Sequence, residues 1–423
     1  MSGYRSSNPQ EDPLDIVSIL LFITLIIIGF VSISSSTSDI SWDHFKLSAL
    51  ATKQLVFLGG AFVIILTIVF SNVVVIDYFA YGFYGIAIFL NILVILMGKE
   101  VAGAKSWFGF GGFGIQPSEF AKVATALALA KFLGTYGIRF KGIKNIATSL
   151  AIFLLPMIII LKQDDTGSAL VFLSFFLVLY REGLPGYILI GAIWLTILAI
   201  VRIVGDFQGV SVFYGYGIML GVASLVILLL RKNRSAIPFI ITISIFSALF
   251  YTVVGSAYHN VFQAHQKSRI ESVLGLKEDA QGIDYHTNQS KIAIGAGKMW
   301  GRGFMKGTQT KMGFVPEQHT DFIFDTIAEE WGLAGATIFF ILFLSLLIRL
   351  SILAERQTTT FGRVLGYSLC CILFFHFSIN IGMTVGLMPV IGIPLPYISY
   401  GGSSLWAFTM FLFVFLRVDQ VRK

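Results

Sequence analysis

This sequence is short of charge and of cysteine. Only 13% of its 423 residues are charged, against 56% hydrophobic, and the mean hydropathy is +0.82. A water-soluble core cannot hide that much apolar surface, so lipid must cover much of it. The two cysteines, Cys370 and Cys371, are adjacent within an apolar run, which argues against a disulfide framework or a thiolate metal cage and for helix packing. No HExxH pair occurs, and Gly295-Ala296-Gly297-Lys298 lacks the spacing of a phosphate-cradling loop. Zinc proteolysis and ATP-driven pumping are therefore not expected. A cleaved signal peptide is not expected either, because Glu11, Asp12 and Asp15 precede the first apolar stretch and no small-residue cleavage site follows it.

What the chain has is apolar runs of helical length from end to end. They fall near 16 to 35, 55 to 71, 76 to 97, 118 to 135, 146 to 161, 167 to 180, 186 to 203, 212 to 230, 236 to 254, 322 to 349, 364 to 386 and 400 to 416. The expected fold is an all-α polytopic membrane protein of about twelve transmembrane helices in a single domain, 1–423. The formal charge of +7 would suggest nucleic acid in a soluble protein. Here Lys and Arg are spread through short loops, the pattern of topology signals and lipid phosphate contacts, so no nucleic-acid partner is expected. Alternate loops hold Arg139, Lys141 and Lys144, then Arg181, then Arg231, Lys232 and Arg234, then Arg349, Arg356 and Arg363, and finally Arg417, Arg422 and Lys423. The positive-inside rule makes these loops and both termini cytoplasmic. The opposite set includes 98 to 117, the Gln163-Asp164-Asp165 turn, a long polar segment from 255 to 320, and the proline-rich turn near 389 to 398. Long loops escape the charge rule and often carry function.

The most informative run is Val315-Pro316-Glu317-Gln318-His319-Thr320-Asp321-Phe322, which passes from the long segment into an apolar helix. An Asp there can simply cap the helix and complement its dipole. Asp325 and Glu329 follow at i+4 and i+8, with Glu330 beside them, so carboxylates persist into a stretch where charge is costly. They either fasten helices or face a polar cavity. Earlier, Gln116-Pro117-Ser118-Glu119 opens a helix in which Glu119 and Lys122 stand at i+3 as an ion pair, structural or part of a site. Trp107 reads as an interfacial anchor or a site residue. Along the long segment, Arg269, Gln289, Lys291, Arg302, Lys306 and Gln309 accompany several glycines. Such groups suit phosphate oxygens, or merely a basic loop near anionic lipid. From Gly386 to Ser404, three prolines among glycines forbid a continuous helix, and irregular backbone is tolerated where it lines a cavity or is buried in protein.

Together these motifs resemble the SEDS family (shape, elongation, division and sporulation), the polytopic peptidoglycan glycosyltransferases. The matching stretches are the Trp107 loop, Gln116 to Lys122, Gln163 to Ser168, Arg269, Gln289 to Gln309, Pro316 to Phe324 and Pro389 to Ser403, in the family's order. Pro394 and Ile391 give the proline-rich turn the look of the RodA branch rather than of division-type relatives. The resemblance implies a core of about ten helices, which leaves 204–254 as an additional pair and 255–320 as an extracytoplasmic functional loop. Departures are Asp164 where the family generally has Pro, Gly313 where division-type relatives carry an acid, and Asp325 in place of a small residue.

The activity so implied is polymerisation of lipid II into glycan strands for elongation and cell shape, at the outer face of the bacterial cytoplasmic membrane. The acceptor's 4-hydroxyl attacks the donor's anomeric carbon, expels a polyprenyl diphosphate and inverts configuration. Asp321 falls on the family's catalytic Asp and is expected to be the base, with Asp325, Glu329 and a dry site raising its basicity. Arg269, Lys291, Arg302 and Lys306 are expected at the diphosphate. Trp107, Glu119, Lys122, Gln289, Gln309, Glu317, His319, Ser399 and Ser403 are expected to line the substrate site. A divalent cation, Mg or Mn, is an open alternative for bridging carboxylate and diphosphate. The implied partners are lipid II, the nascent glycan strand, a class B penicillin-binding transpeptidase and the elongation machinery. A flippase that moves the lipid without chemistry, or a scaffold, would fit the same carboxylates and broken helices.

Overall fold

The computed structural model describes residues 13–37, 48–101, 103–110, 113–136, 142–229, 236–260, 262, 267, 271, 283–315, 317–388 and 390–421. Arg269 and the loop basics Arg139, Lys141, Arg231, Lys232, Arg234, Arg422 and Lys423 lie outside them. The helices are α1 (Ile16–Thr37), α2 (Ala49–Val69), α3 (Val73–Tyr78), α4 (Ala80–Met97), α5 (Pro117–Tyr136), α6 (Ile143–Leu161), α7 (Thr166–Val171) and α8 (Phe175–Arg181). They continue as α9 (Gly186–Phe207), α10 (Val212–Leu229), α11 (Ala236–Asn260), α12 (Ile283–Ala296), α13 (Ile323–Glu355), α14 (Thr360–Thr384) and α15 (Gly402–Gln420).

All twelve expected spans are helical, but among the described residues only ten helices are long and apolar enough to cross a membrane by length and composition. The two that fall short do so for different reasons. The stretch 166–181 is broken, with a 3-10 turn at Phe172–Ser174 between α7 and α8. Helix α5 is whole but carries Glu119, Lys122 and Lys131, and it packs against α4, α6, α14 and α15. Its buried alanines, 121, 124, 126, 128 and 130, let neighbouring backbones approach on every side. The fold is helical as expected, with one small addition: Lys99–Val101, Ala104–Phe110 and Phe113–Ile115 form a three-stranded antiparallel sheet in the order β1-β2-β3.

The chain divides into two compact units, Met1–Leu184 with His286–Lys423, and Pro185–Tyr285. The smaller holds α9, α10 and α11, packed on one another. Within it Arg202 and Asp206 form an ion pair, and His259 reaches Asp206 at 3.1 Å.

In the larger unit one end is tied by charge. Arg349 pairs with Asp15, Arg356 with Asp419, and Arg363 with Glu182 at 2.8 Å. These bonds bring the start of α1, the ends of α8, α13 and α15, and the start of α14 together. The other ends of those helices gather the residues around Asp321.

Helix α13 is interrupted at Gly332, whose φ of 65° and ψ of −163° are not helical. The turn 298–303 supplies the bonds that the break removes. Arg302 and Gly303 N–H groups donate to the carbonyls of Glu329 and Glu330 at 3.0 and 2.9 Å, while Leu333 and Ala334 donate to Lys298 and Met299 at 2.9 and 3.1 Å. A side chain at Gly332 would strain the backbone and collide with Gly301 N. Gly332→Ala should therefore cost about 2 kcal/mol, read as a lower unfolding temperature in detergent. Gly59→Ala, at a helical position with open space, should leave that temperature unchanged or slightly raised.

Candidate active site

Asp321 lies in a turn just before α13, and it does not cap that helix. The cap position is Phe322, with no side-chain cap bond. Instead the turn is held through its backbone carbonyls. Asn380 on α14 donates through Nδ2 to Asp321 O and to Ile393 O, both at 2.7 Å. The Ser399 hydroxyl donates to Thr320 O at 2.6 Å and accepts from Leu395 N–H at 2.8 Å. Tyr400 N–H donates to His319 O at 2.8 Å. The segment from Val385 to Gly401 is non-helical, as its prolines require, and it is stitched directly onto the Asp321 turn. Pro389 and Pro316 lie outside the described residues.

A second wall comes from α7. Asp165 caps it, its Oδ1 accepting from Ser168 N–H at 2.9 Å and its Oδ2 from Gln116 Nε2 at 2.7 Å. Gly167 allows this wall to close: a Cβ there would stand 2.5 Å from Ile391 O. Across the gap, a Cβ on Gly392 would stand 3.4 Å from Asp321 Oδ2. Ser403 extends the wall to the sheet, accepting from Gln116 N–H at 3.1 Å and donating to Gly114 O at 3.2 Å. Trp107 lies over Gly114.

Among the described residues the Asp321 carboxylate accepts no hydrogen bond, and its surroundings oppose its charge. Burial, then the Glu317 and Asp165 carboxylates, push its pKa up to about 7. Burial agrees with the expected dry site, whereas the charges that act are those of Glu317 and Asp165 rather than of Asp325 and Glu329. Asp325 accepts from Ser290 at 2.8 Å. Glu329 accepts from the N–H groups of Thr308, Gln309 and Thr310 at 2.7, 2.9 and 2.9 Å. Glu330 accepts from Ser35 and from Met305 N–H at 3.2 Å. These three carboxylates fasten the outer segment to α13; both oxygens of Glu329 are bonded, while Asp325 Oδ2 and Glu330 Oε2 have no hydrogen-bond partner among the described residues.

The other expected residues divide. Glu317 is exposed, with a positive φ of 51°, and accepts from Thr320 Oγ1 at 3.0 Å. His319 is half-buried with its ring edge-on to Tyr400, and burial, opposed by Glu317, lowers its pKa. Lys291, Arg302 and Lys306 are exposed cations; Lys291 lies over Gly386, and Arg302 donates to Thr308 Oγ1 at 2.6 Å. Gln289 is half-buried on α12. Gln309 offers its backbone to Glu329. Glu119 and Lys122 pair at 2.7 Å deep between helices, with 3% and 2% of their side chains exposed. Sequence reasoning missed Asp165 and Asn380 as site residues. The signal for Asn380 was an amide in an otherwise apolar span; for Asp165 it was an acid opening a helix beside a Gly.

These features define a polytopic membrane protein with a half-buried, near-neutral carboxylate at one end of its helices. The FtsW/RodA/SpoVE model, described as cell cycle protein, matches residues 15–212 and 213–423. The chain belongs to that family. It is 32% identical over 418 residues to the peptidoglycan glycosyltransferase RodA of Treponema pallidum, covering 93% of this chain and 94% of the relative. It is 34% identical over 323 residues to the peptidoglycan glycosyltransferase MrdB of Escherichia coli K12, covering 76% and 72%. A chain from a peptidoglycan synthase complex that coordinates polymerization and crosslinking aligns with a TM-score of 0.70 and 26% identity over 97% of this chain and 99% of that one. The crystal structure of Thermus thermophilus RodA aligns with a TM-score of 0.61 and 25% identity over 97% of each.

Were Asp321 the proton acceptor, only its ionised form would act, and kcat/KM would fall about tenfold per pH unit on the acid side of pH 7. Removing the Glu317 charge favours ionised Asp321. The acid limb of Glu317→Gln should therefore move to lower pH in a pH–rate profile; an unmoved limb would contradict the electrostatic origin.

Proposed function

We infer that this chain is a peptidoglycan glycosyltransferase that polymerises lipid II, with Asp321 as the general base. The observation that carries the assignment is the Asp321 carboxylate itself. It is poised near neutrality, unanswered by a described donor, and fixed through its backbone by α14 and the proline-rich turn. A base with a pKa near the working pH combines a useful ionised fraction with proton affinity. It takes the proton of the acceptor's 4-hydroxyl as that oxygen attacks the anomeric carbon of the donor. The bond to the polyprenyl diphosphate breaks on the opposite face, so configuration inverts. Lys291, Arg302 and Lys306 are assigned to the departing diphosphate, where cations offset the developing charge.

A divalent cation would fit this chemistry as a Lewis acid at the diphosphate. Among the described residues no three His, Cys, Asp or Glu side chains cluster closely enough to hold one, so Asp321 would contribute a single carboxylate and substrate oxygens the rest.

Sidedness follows from the ends of the larger unit. Arg181, Arg349, Arg356, Arg363 and Arg417 lie at the ion-paired end, and the positive-inside rule assigns that end to the cytoplasm. Asp321 then faces the outside of the bacterial cytoplasmic membrane, where strands are built. A class B penicillin-binding transpeptidase is the partner that would crosslink them during elongation.

The test is polymerisation of labelled lipid II by the chain purified with its transpeptidase partner. Wild type should form polymer, and Asp321→Asn should fold, bind lipid II and lose activity by a factor of about a thousand or more. Equal polymer from both would remove Asp321 from catalysis. Lipid crossing vesicles with no polymer from either would favour the flippase.

A further inference from the structure

We propose that His376 is a positioning residue for Asp321, set in one tautomer by the buried Glu119–Lys122 pair. The inference rests on the catalytic reading of Asp321 above.

Helix α14 presents His376 and Asn380 one turn apart on one face. Their side chains take the carbonyls of successive residues. His376 Nδ1 is 3.0 Å from Pro394 O, and Asn380 Nδ2 is 2.7 Å from Ile393 O and equally close to Asp321 O. A carbonyl can only accept, so Nδ1 carries the proton and donates it, leaving a lone pair at Nε2. That lone pair accepts from the Lys122 ammonium at 3.0 Å. An ammonium has no acceptor capacity, so the opposite tautomer, or the imidazolium, would set N–H against N–H at this contact.

Glu119 Oε1 accepts from Lys122 at 2.7 Å, and the Phe408 ring centre lies 5.4 Å from the ammonium. Glu119, Lys122 and His376 are 3%, 2% and 1% exposed, so water does not compete for these bonds. A buried ion pair contributes little net stability by itself. Here it does something else: the charge of Lys122 decides which nitrogen of His376 bears the proton. That proton fixes the Pro394 carbonyl, the adjoining Ile393 carbonyl is fixed by Asn380, and Asn380 holds Asp321. Three side chains on α5 and α14 thereby reach the reacting carboxylate without touching substrate.

The same lipid II assay on the full chain with its partner, read as separate kcat and KM, tests this. His376→Leu removes both bonds and should lower kcat by about tenfold or more while KM stays within about twofold. His376→Gln keeps an acceptor for Lys122 and a donor for Pro394, and should restore most of kcat. If His376→Leu does not fold, His376→Asn serves instead, being too short to span both partners, and should show a lower kcat than His376→Gln at similar KM. Wild-type kcat in folded His376→Leu, or in His376→Asn where the leucine variant does not fold, would overturn the inference alone. So would a Gln variant as defective as the shorter ones, or a rise in KM with kcat unchanged. Absence of polymer from wild type would overturn the catalytic reading and this inference with it.

Discussion

Between Val385 and Gly401 the chain runs without helix, and each carbonyl there that is shut away from water needs a donor from elsewhere. Asn380 and His376 meet that need at Ile393 and Pro394, and Asn380 and Ser399 also bind the turn that carries Asp321. The arrangement makes one network of two irregular segments far apart in sequence. Close approach of backbones makes it compact, since Gly167 leaves no room for a side chain beside Ile391. A position built this way depends on backbone geometry more than on rotamers, which suits a carboxylate that must keep its place through repeated transfer.

The same end of the unit contains five carboxylates with very different surroundings. Glu329 sits within a ring of three backbone N–H groups, Glu330 and Asp325 accept from serines, and Asp165 caps a helix while accepting from Gln116. Each accepts at least one hydrogen bond. Asp321 instead feels burial and the negative charges of Glu317 and Asp165. What sets Asp321 apart among these five is that its oxygens accept no bond from a described donor, which leaves them open to a proton from a ligand.

Much of this was legible from residues alone. The apolar runs located every long helix, and the carboxylate at the mouth of α13 stood out by its place at the end of a polar segment. The proline-rich run declared itself non-helical through missing N–H groups. Other features were hidden for physical reasons. The strands at 99–115 are short and glycine-rich, so alternation gives little signal. Helix α5 reads as an ordinary span, and only packing reveals that its alanines make it central. Asp325 and Glu329 lie near one helical face with Asp321 by periodicity, but the loop that claims Glu329 is far away in sequence. Asp165 acts on Asp321 through space, and sequence spacing carries no such distance.

The contrast between half-buried base and exposed cations follows from what each must handle. In the proposed reaction the diphosphate arrives charged, binds before reaction and leaves with the product, so contacts from water-facing Lys291, Arg302 and Lys306 would gain and lose it readily. The proton acceptor has the opposite requirement, because hydration would stabilise the ionised carboxylate and lower its proton affinity. Glu329 and Glu330 reconcile the two. They pin the segment bearing Arg302 and Lys306 to α13 by bonds to its backbone, while both cationic side chains stay exposed. The helix that begins just after Asp321 thus also fixes the segment from which those cations reach.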